Sequence, residues 1–215
     1  MRDIAIYGAG GFGREIACLI HHINDTEGAE WNLIGFFDDG KEIGYGNRYG
    51  KVLGGMNELN RYHRQLSVVI AIGTPKILHL LVNRITNPFI DFPNIIAHNV
   101  LFFDRDSTVM GQGNIITFGC RLSCNTRIGD FNLLNGGVSL GHDTTIGSYN
   151  VMMPETRLSG EVTVGDMNLF GGRSFVVQQI HIGSRTTIGA GSVILRKTKD
   201  GSLYMGNPAR KIEIN

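Results

Sequence analysis

"IGDFNLLNGGVSLGHDTTIG", residues 128–147, carries two superimposed spacings: Ile128, Leu134, Leu140 and Ile146 stand six apart, and Gly129 and Gly147 stand eighteen apart. Neither an α-helix nor an ordinary β-strand has a six-residue period. Extended both ways, every sixth residue from Met110 to Ile194 is apolar, fifteen in succession. If about half of residues are apolar, such a run arises by chance roughly once in 30,000. Gly111, Gly129, Gly147, Gly165 and Gly183 each follow one of these residues, and their spacing is three sixes. The pattern predicts a parallel β-helix. Each six-residue edge supplies one inward side chain, three edges close a triangular coil, and successive coils stack about 4.8 Å apart. Small or turn-forming residues such as Thr126, Asn132, Thr144, Asn150, Asn168 and Ser192 suit the corners. About five unbroken coils are expected over 110–194, with a less regular start near 95–109.

The totals agree with a repeat. Thirty glycines against five prolines in 215 residues need a regular architecture that uses them, and 42% hydrophobic residues suffice for one or two cores. Lys plus Arg minus Asp plus Glu is 20 − 19 = +1, which gives no electrostatic reason to expect nucleic acid or an anionic membrane. Cys18, Cys120 and Cys124 are too few for a disulfide scaffold and lack the second ligand pair of a zinc site, so they read as reduced, buried thiols and no metal is expected. No basic start leads into a long apolar run, and no stretch nears the ~18 apolar residues of a membrane span. The expected location is the cytoplasm.

Before the repeat, "DIAIYGAGGFGREIACLIHHI" (3–23) reads as a strand over about 3–7, a glycine turn, and a helix with Ile16, Leu19, Ile20 and Ile23 on one face. Gly8, Gly10 and Gly13 have the G-x-G-x-x-G spacing that lets backbone N–H groups approach a phosphate at a helix start. "WNLIGFFDDG" (31–40) adds a strand ending in Asp38 and Asp39, where a ribose-binding acid falls. "LSVVIAIGTPKILHLLVNRI" (66–85) adds a third strand and a helix, with Thr74 as N-cap and Pro75 at the first position. The pattern changes near residue 90, whereas two mononucleotide halves need on the order of 150 residues. The domain expectation is a nucleotide-sugar-binding βαβ unit over 1–92 and the β-helix with its tail over 93–215. NAD is the weaker reading of the glycines, since the nicotinamide half is missing, and a purely structural tight turn is the alternative.

"LLNGGVSLGHDTTIG" (133–147), "AIGTPKI" (71–77), "VLGGMNEL" (52–59), "FFDDG" (36–40) and "GNPAR" (206–210) together resemble the hexapeptide-repeat sugar acetyltransferases grouped with sialic-acid O-acetyltransferases and UDP-4-amino-sugar N-acetyltransferases. The resemblance covers nearly the whole chain. It implies a left-handed turn for the β-helix, acetyl-CoA as co-substrate, a homotrimer with acetyl-CoA between neighbouring coils, and a nucleotide sugar held by the N-terminal domain. Acetyl transfer needs a base for the acceptor's proton, and His142, one of two histidines within the regular coils, fits that role. Asp143 adjoins it, but orients it only if the chain turns a corner there, because strand neighbours point to opposite faces. Adding eighteen to 142 gives Gly160, whose missing side chain would leave a backbone N–H exposed for the thioester carbonyl. The same step takes Asp143 to Glu161, so two carboxylates lie one coil apart and either raise one pKa or form a solvated pair.

The resemblance therefore implies Asn135, His142, Asp143 and Gly160 as catalytic residues, and Gly160, Gly172, Ala190, Lys197 and Arg210 as contacts to acetyl-CoA. Arg196, Lys197, Lys199, Arg210 and Lys211 gather near the coil end, as a site for coenzyme A phosphates or a solvated basic face. Candidate contacts to the nucleotide sugar are Gly8, Gly10, Gly11, Phe12, Gly13, Asp38, Asp39 and Gly73. Two departures bear on the sugar. Gly11-Phe12-Gly13 stands where relatives often have Gly-His-Gly, and Val151 stands where some carry a second histidine. The resulting expectation is an acetyltransferase acting on a nucleotide-linked, UDP-type sugar or amino sugar in surface-glycan or sialic-acid-type synthesis. A free sugar acceptor, or a non-catalytic nucleotide-sugar-binding scaffold, is the alternative.

Overall fold

In the computed structural model, which describes residues 1–213, the chain starts in β1 (Arg2–Tyr7), whose last four residues are buried. It passes through the glycine loop into α1 (Gly11–Glu27), and the stripe Ile16, Leu19, Ile20 and Ile23 is at most 5% exposed. Then follow β2 (Trp31–Phe37), a hairpin of β3 (Gly46–Asn47) and β4 (Gly50–Gly54), α2 (Met56–Asn60), β5 (Leu66–Ile70), α3 (Pro75–Arg84) and β6 (Ile90–Asp91). The sheet order is β3-β4-β2-β1-β5-β6, with every pair parallel except β3–β4. The three strands and two long helices are as the sequence indicates. The hairpin, α2 and β6 escape a periodicity reading because two to five residues are too few to show a period. Thr74 occupies the N-cap of α3, but its hydroxyl makes no capping bond, so Pro75 alone marks that helix start.

The next strand, Ile95–Ile96, opens a parallel β-helix of two-residue strands in three sheets of six, six and five, the first of which is extended by a C-terminal hairpin of Leu203–Gly206 and Ala209–Ile212. Register across the coils is the eighteen-residue step: Leu134 pairs with Met152, Leu140 with Leu158, and Ile146 with Val164. Fourteen of the fifteen six-spaced residues are at most 5% exposed and form one core; Met110, at the irregular lower end, is half-buried against it. The earliest coil is already stacked, but Ile96 pairs with Ile116 and Phe102 with Leu122, twenty residues on, which accounts for the broken frame before Met110.

A second period appears only in the backbone. Every sixth residue from Gly113 to Gly191 has a φ between 54° and 73°, and ten of them are not glycine. The left-handed conformation costs an L-residue about 1–2 kcal/mol. A hydrogen bond to the coil below offsets it: Tyr149 N–H donates to the Asp130 carbonyl at 2.9 Å, and Glu161 N–H to that of His142 at 2.8 Å. Inside one corner a ladder of buried asparagines satisfies the remaining amides. Asn132 Oδ1 accepts the backbone N–H of Asn150 at 2.9 Å and its Nδ2 at 3.0 Å, and Asn150 does the same for Asn168 at 2.9 Å each.

One face of the β-helix is apolar on its outside as well. Ile115, Leu133 and Val151, each preceding a core residue, are buried in the same cluster as Ile16, Leu19 and Ile20 of α1. At the adjoining corner Phe131 stacks on Tyr149 with ring centres 5.5 Å apart, while Phe92 and His79 of the N-terminal domain meet them edge-on at 5.0 and 4.8 Å. The two cores are thereby joined. The cysteines need a correction: only Cys120 is buried, its thiol pushed up to about 11 by that burial, whereas Cys18 is exposed and Cys124 half-buried. Hydrophobicity of cysteine did not override its place on an outward helix face or corner. All three are free.

Leu134 lies at the centre of the stacked coils with no accessible surface. Leu134→Asp buries an unpaired carboxylate and is expected to abolish soluble folded protein, while Leu134→Ala should cost about 2–5 kcal/mol in denaturant unfolding. A normally stable Leu134→Asp protein would remove Leu134 from the core.

Candidate active site

His142 and Asp143 lie in the connection Gly141–Thr144 between the second and third faces of one coil. Asp143 has φ 57°, and this left-handed turn breaks the strand alternation that would otherwise point the two side chains apart. His142 Nδ1 lies 2.8 Å from Asp143 Oδ2, and Asn125 Nδ2 donates to the other oxygen, Oδ1, at 3.1 Å. These two bonds, that from His142 first, hold the Asp143 carboxyl below the usual carboxylate range. An ionised Asp143 only accepts, so Nδ1 carries the hydrogen and Nε2 of the neutral ring is left as an acceptor. The two side chains are about half exposed, open to a substrate.

Nε2 faces Gly160. A Cβ on Gly160 would coincide with the edge of the His142 ring, so the missing side chain is what lets the imidazole settle there. Two expectations are corrected. The Gly160 amide does not stand exposed, because the residue is buried, with the His142 ring in the space of its missing side chain; its N–H nonetheless has no hydrogen-bond partner among the described residues. Nor is the pKa of either Asp143 or Glu161 raised overall; each lies below the usual carboxylate range. Gln179 and Gln178 donate to Glu161 at 3.0 and 2.9 Å, and these bonds lower its pKa against the weaker repulsion from Asp143. They are the solvated pair.

Asn135 stands at the preceding corner of the same coil, between the first and second faces, and so away from His142. Its Oδ1 accepts from Thr117 Oγ1 at 3.1 Å and from the Gly136 N–H at 2.9 Å. With Phe12, Glu15, Thr117 and Phe118 it lines a cavity of about 300 Å³ between α1 and the β-helix. Phe12 thus points at the domain junction. Gly172 and Ala190 lie on this corner too, two and three coils above Gly136 at the eighteen-residue step. Lys197 and Arg210 meet elsewhere: with Arg196 they line a cavity of about 440 Å³ against the C-terminal hairpin, from which Lys199 and Lys211 are absent. Arg196 continues the column His142, Gly160, Gln178 at the same step, so the basic cavity crowns the His142 corner.

In the N-terminal domain the glycines divide by job. The carbonyl of Gly8 occupies the place of a Cβ on Gly13, so these two let α1 close on β1; Gly10, Gly11 and Gly73 face open space beyond the carboxyl ends of β1 and β5. Asp38 Oδ2 accepts the Ala9 N–H at 2.8 Å and so braces the loop. Asp39 Oδ1 accepts the Met56 N–H at 2.8 Å, and its Oδ2 lies 3.6 Å from Arg84. Val151 is wholly buried under α1, which explains why an apolar residue is tolerated there. Among the described residues no three His, Cys, Asp or Glu side chains converge as metal ligands, and no helix is long and apolar enough to cross a membrane.

Residues 3–85 match the PglD N-terminal domain family. No match was found among curated protein sequences. Among solved structures, the acetyltransferase domain of PglB from Neisseria gonorrhoeae FA1090 in complex with acetyl coenzyme A superposes with a TM-score of 0.88 at 26% identity, over 98% of this chain and 99% of that one. WeeI from Acinetobacter baumannii AYE gives 0.88 at 25% identity over 99% and 100%. PerB from Caulobacter crescentus, in complex with CoA and GDP-perosamine, gives 0.86 at 23% over 99% and 98%, and shares the fold. The chain therefore carries a segment that matches the PglD N-terminal domain, followed by a hexapeptide-repeat β-helix, and shares this fold with these three structures.

Gly160→Val should push the His142 ring off its seat and lower acetyl transfer by ~10²-fold or more, with circular dichroism unchanged. Wild-type turnover in that variant would show that the ring does not work from this position.

Proposed function

We propose that this protein is an acetyl-CoA-dependent acetyltransferase that acetylates a sugar or amino sugar linked to a nucleotide, UDP in the first instance, for surface-glycan or sialic-acid-type synthesis in the cytoplasm. The observation that carries the reading is the corner at His142: Nδ1 engaged by Asp143 and Nε2 set in the space of the missing side chain of Gly160, a residue whose backbone N–H is unpaired among the described residues. Nε2 takes the proton from the acceptor's amine or hydroxyl as that atom bonds to the thioester carbonyl carbon. The Gly160 N–H, uncovered as the ring turns toward the acceptor, donates to the oxyanion. Collapse of the tetrahedral intermediate breaks the carbon–sulfur bond, and protonated His142 returns its proton to the departing thiolate of coenzyme A. Asp143 stabilises the imidazolium between these steps.

Arg196, Lys197 and Arg210 would hold the coenzyme A phosphates, Gly172 and Ala190 would leave room for its pantetheine arm, and Gly10, Gly11 and Gly73 would admit the nucleotide diphosphate near α1. Asn135 and His142 stand at different corners of a coil, so one chain presents two half-sites. A homotrimer packed on its coil faces sets the His142 corner of one chain beside the Asn135 corner of the next, and trimerisation completes the site. Static light scattering at assay concentration should report three chains. An active monomer would overturn the shared site.

The decisive experiment pairs two variants. His142→Ala should lower turnover, followed as free thiol, by ~10²-fold or more while leaving acetyl-CoA affinity near wild type. Gly10→Val, which places a side chain in the open space of the loop, should weaken the nucleotide sugar in calorimetry and spare acetyl-CoA. Full activity of His142→Ala, or tight NAD binding, would reject the reading.

A further inference from the structure

An acid that steers a histidine must itself be steered, and Asp143 is an exposed side chain whose carboxylate would otherwise rotate in water. The coil below supplies the constraint. Asn125 stands eighteen residues before Asp143 in the same left-handed conformation, φ 57° for both. Its Nδ2 holds Asp143 Oδ1 at 3.1 Å, leaving Oδ2 for His142 at 2.8 Å. Asn125 is fixed in turn, because its backbone N–H donates to Ser107 Oγ at 2.8 Å, one coil further down. The Asp143 N–H donates to the Cys124 carbonyl at 3.0 Å, so the backbone between the two columns is also tied.

We infer that Asn125 is a positioning residue for acetyl transfer, acting through Asp143 to keep His142 Nε2 over Gly160. This rests on His142 being the base. The charged groups around the ring are Asp143 on its own corner and Glu161 on the coil above, and Glu161 is taken up by Gln178 and Gln179. Asn125 adds no charge from below. Its contribution is direction, which separates it from a general field effect. Without that direction Asp143 rotates freely, and Nε2 spends less time in the productive pose.

Asn125→Gly adopts the left-handed backbone freely and removes only the donor, while Asn125→Asp keeps the shape and sets an acceptor against an acceptor. Asn125→Gly is expected to lower kcat about tenfold, a part of the ~10²–10⁴-fold that a positioned base contributes. KM for acetyl-CoA should stay unchanged, so that the loss falls on kcat alone. Asn125→Asp should lose at least as much kcat. Wild-type kcat in both variants overturns the inference, even if the melting temperature falls, since that is the signature of a merely structural residue. An active His142→Ala protein would instead reject the base on which it rests, so the two failures read separately.

Discussion

Backbone stacked directly on backbone, at an eighteen-residue step, is the constraint on which the rest of this protein depends. A coil closes only if each six-residue edge places one apolar side chain inward and one corner residue in the left-handed region. Ten non-glycine residues accept that conformation, because each gains a hydrogen bond from the coil beneath. The same stacking brings residues eighteen apart into contact without any loop to arrange them. His142, the glycine on the coil above that receives its ring, and the asparagine on the coil below that supports Asp143 are thereby brought together by register.

The N-terminal domain uses the remaining freedom. One face of the β-helix buries a continuous apolar stripe on its outer side, and α1 with α3 covers it through Ile115, Leu133, Val151 and the Phe131–Tyr149 stack. On the other two faces the equivalent positions mix polar residues such as Arg121, Ser139, Arg157, Arg127 and Thr145 with the exposed Leu101, Val109 and Phe175, and among the described residues no element of the N-terminal domain covers them. The glycine loop is consequently fixed relative to the coils, with Phe12 leaning on the Asn135 corner. That placement makes the junction cavity a meeting point for the sugar and the acyl donor in the proposed reaction.

Chemistry-bearing groups are divided among corners: His142, Gly160 and the basic cavity with Arg196 on one column, Asn135, Gly172 and Ala190 on another. A triangular prism cannot fold two of its own corners together. In the proposed trimer a second copy, laid face to face, would join them.

The six-residue and eighteen-residue periods made the β-helix, its core and the Gly160 seat above His142 legible in the sequence, because an unbroken register converts sequence separation directly into contact. The glycine turn and the α1 stripe were legible for the same local reason. The outward apolar stripe at Ile115, Leu133 and Val151 was also present in the sequence, eighteen apart, but its meaning waits on knowing which face the N-terminal domain covers. What only the tertiary structure decided is where side chains turn. The left-handed corner brings Asp143 round to His142, the ring fills the side-chain space that Gly160 leaves empty, and Asp38 and Asp39 accept hydrogen bonds from Ala9 and Met56. Rotamers and corner geometry depend on neighbours from other coils and other strands, and no spacing along one chain encodes them.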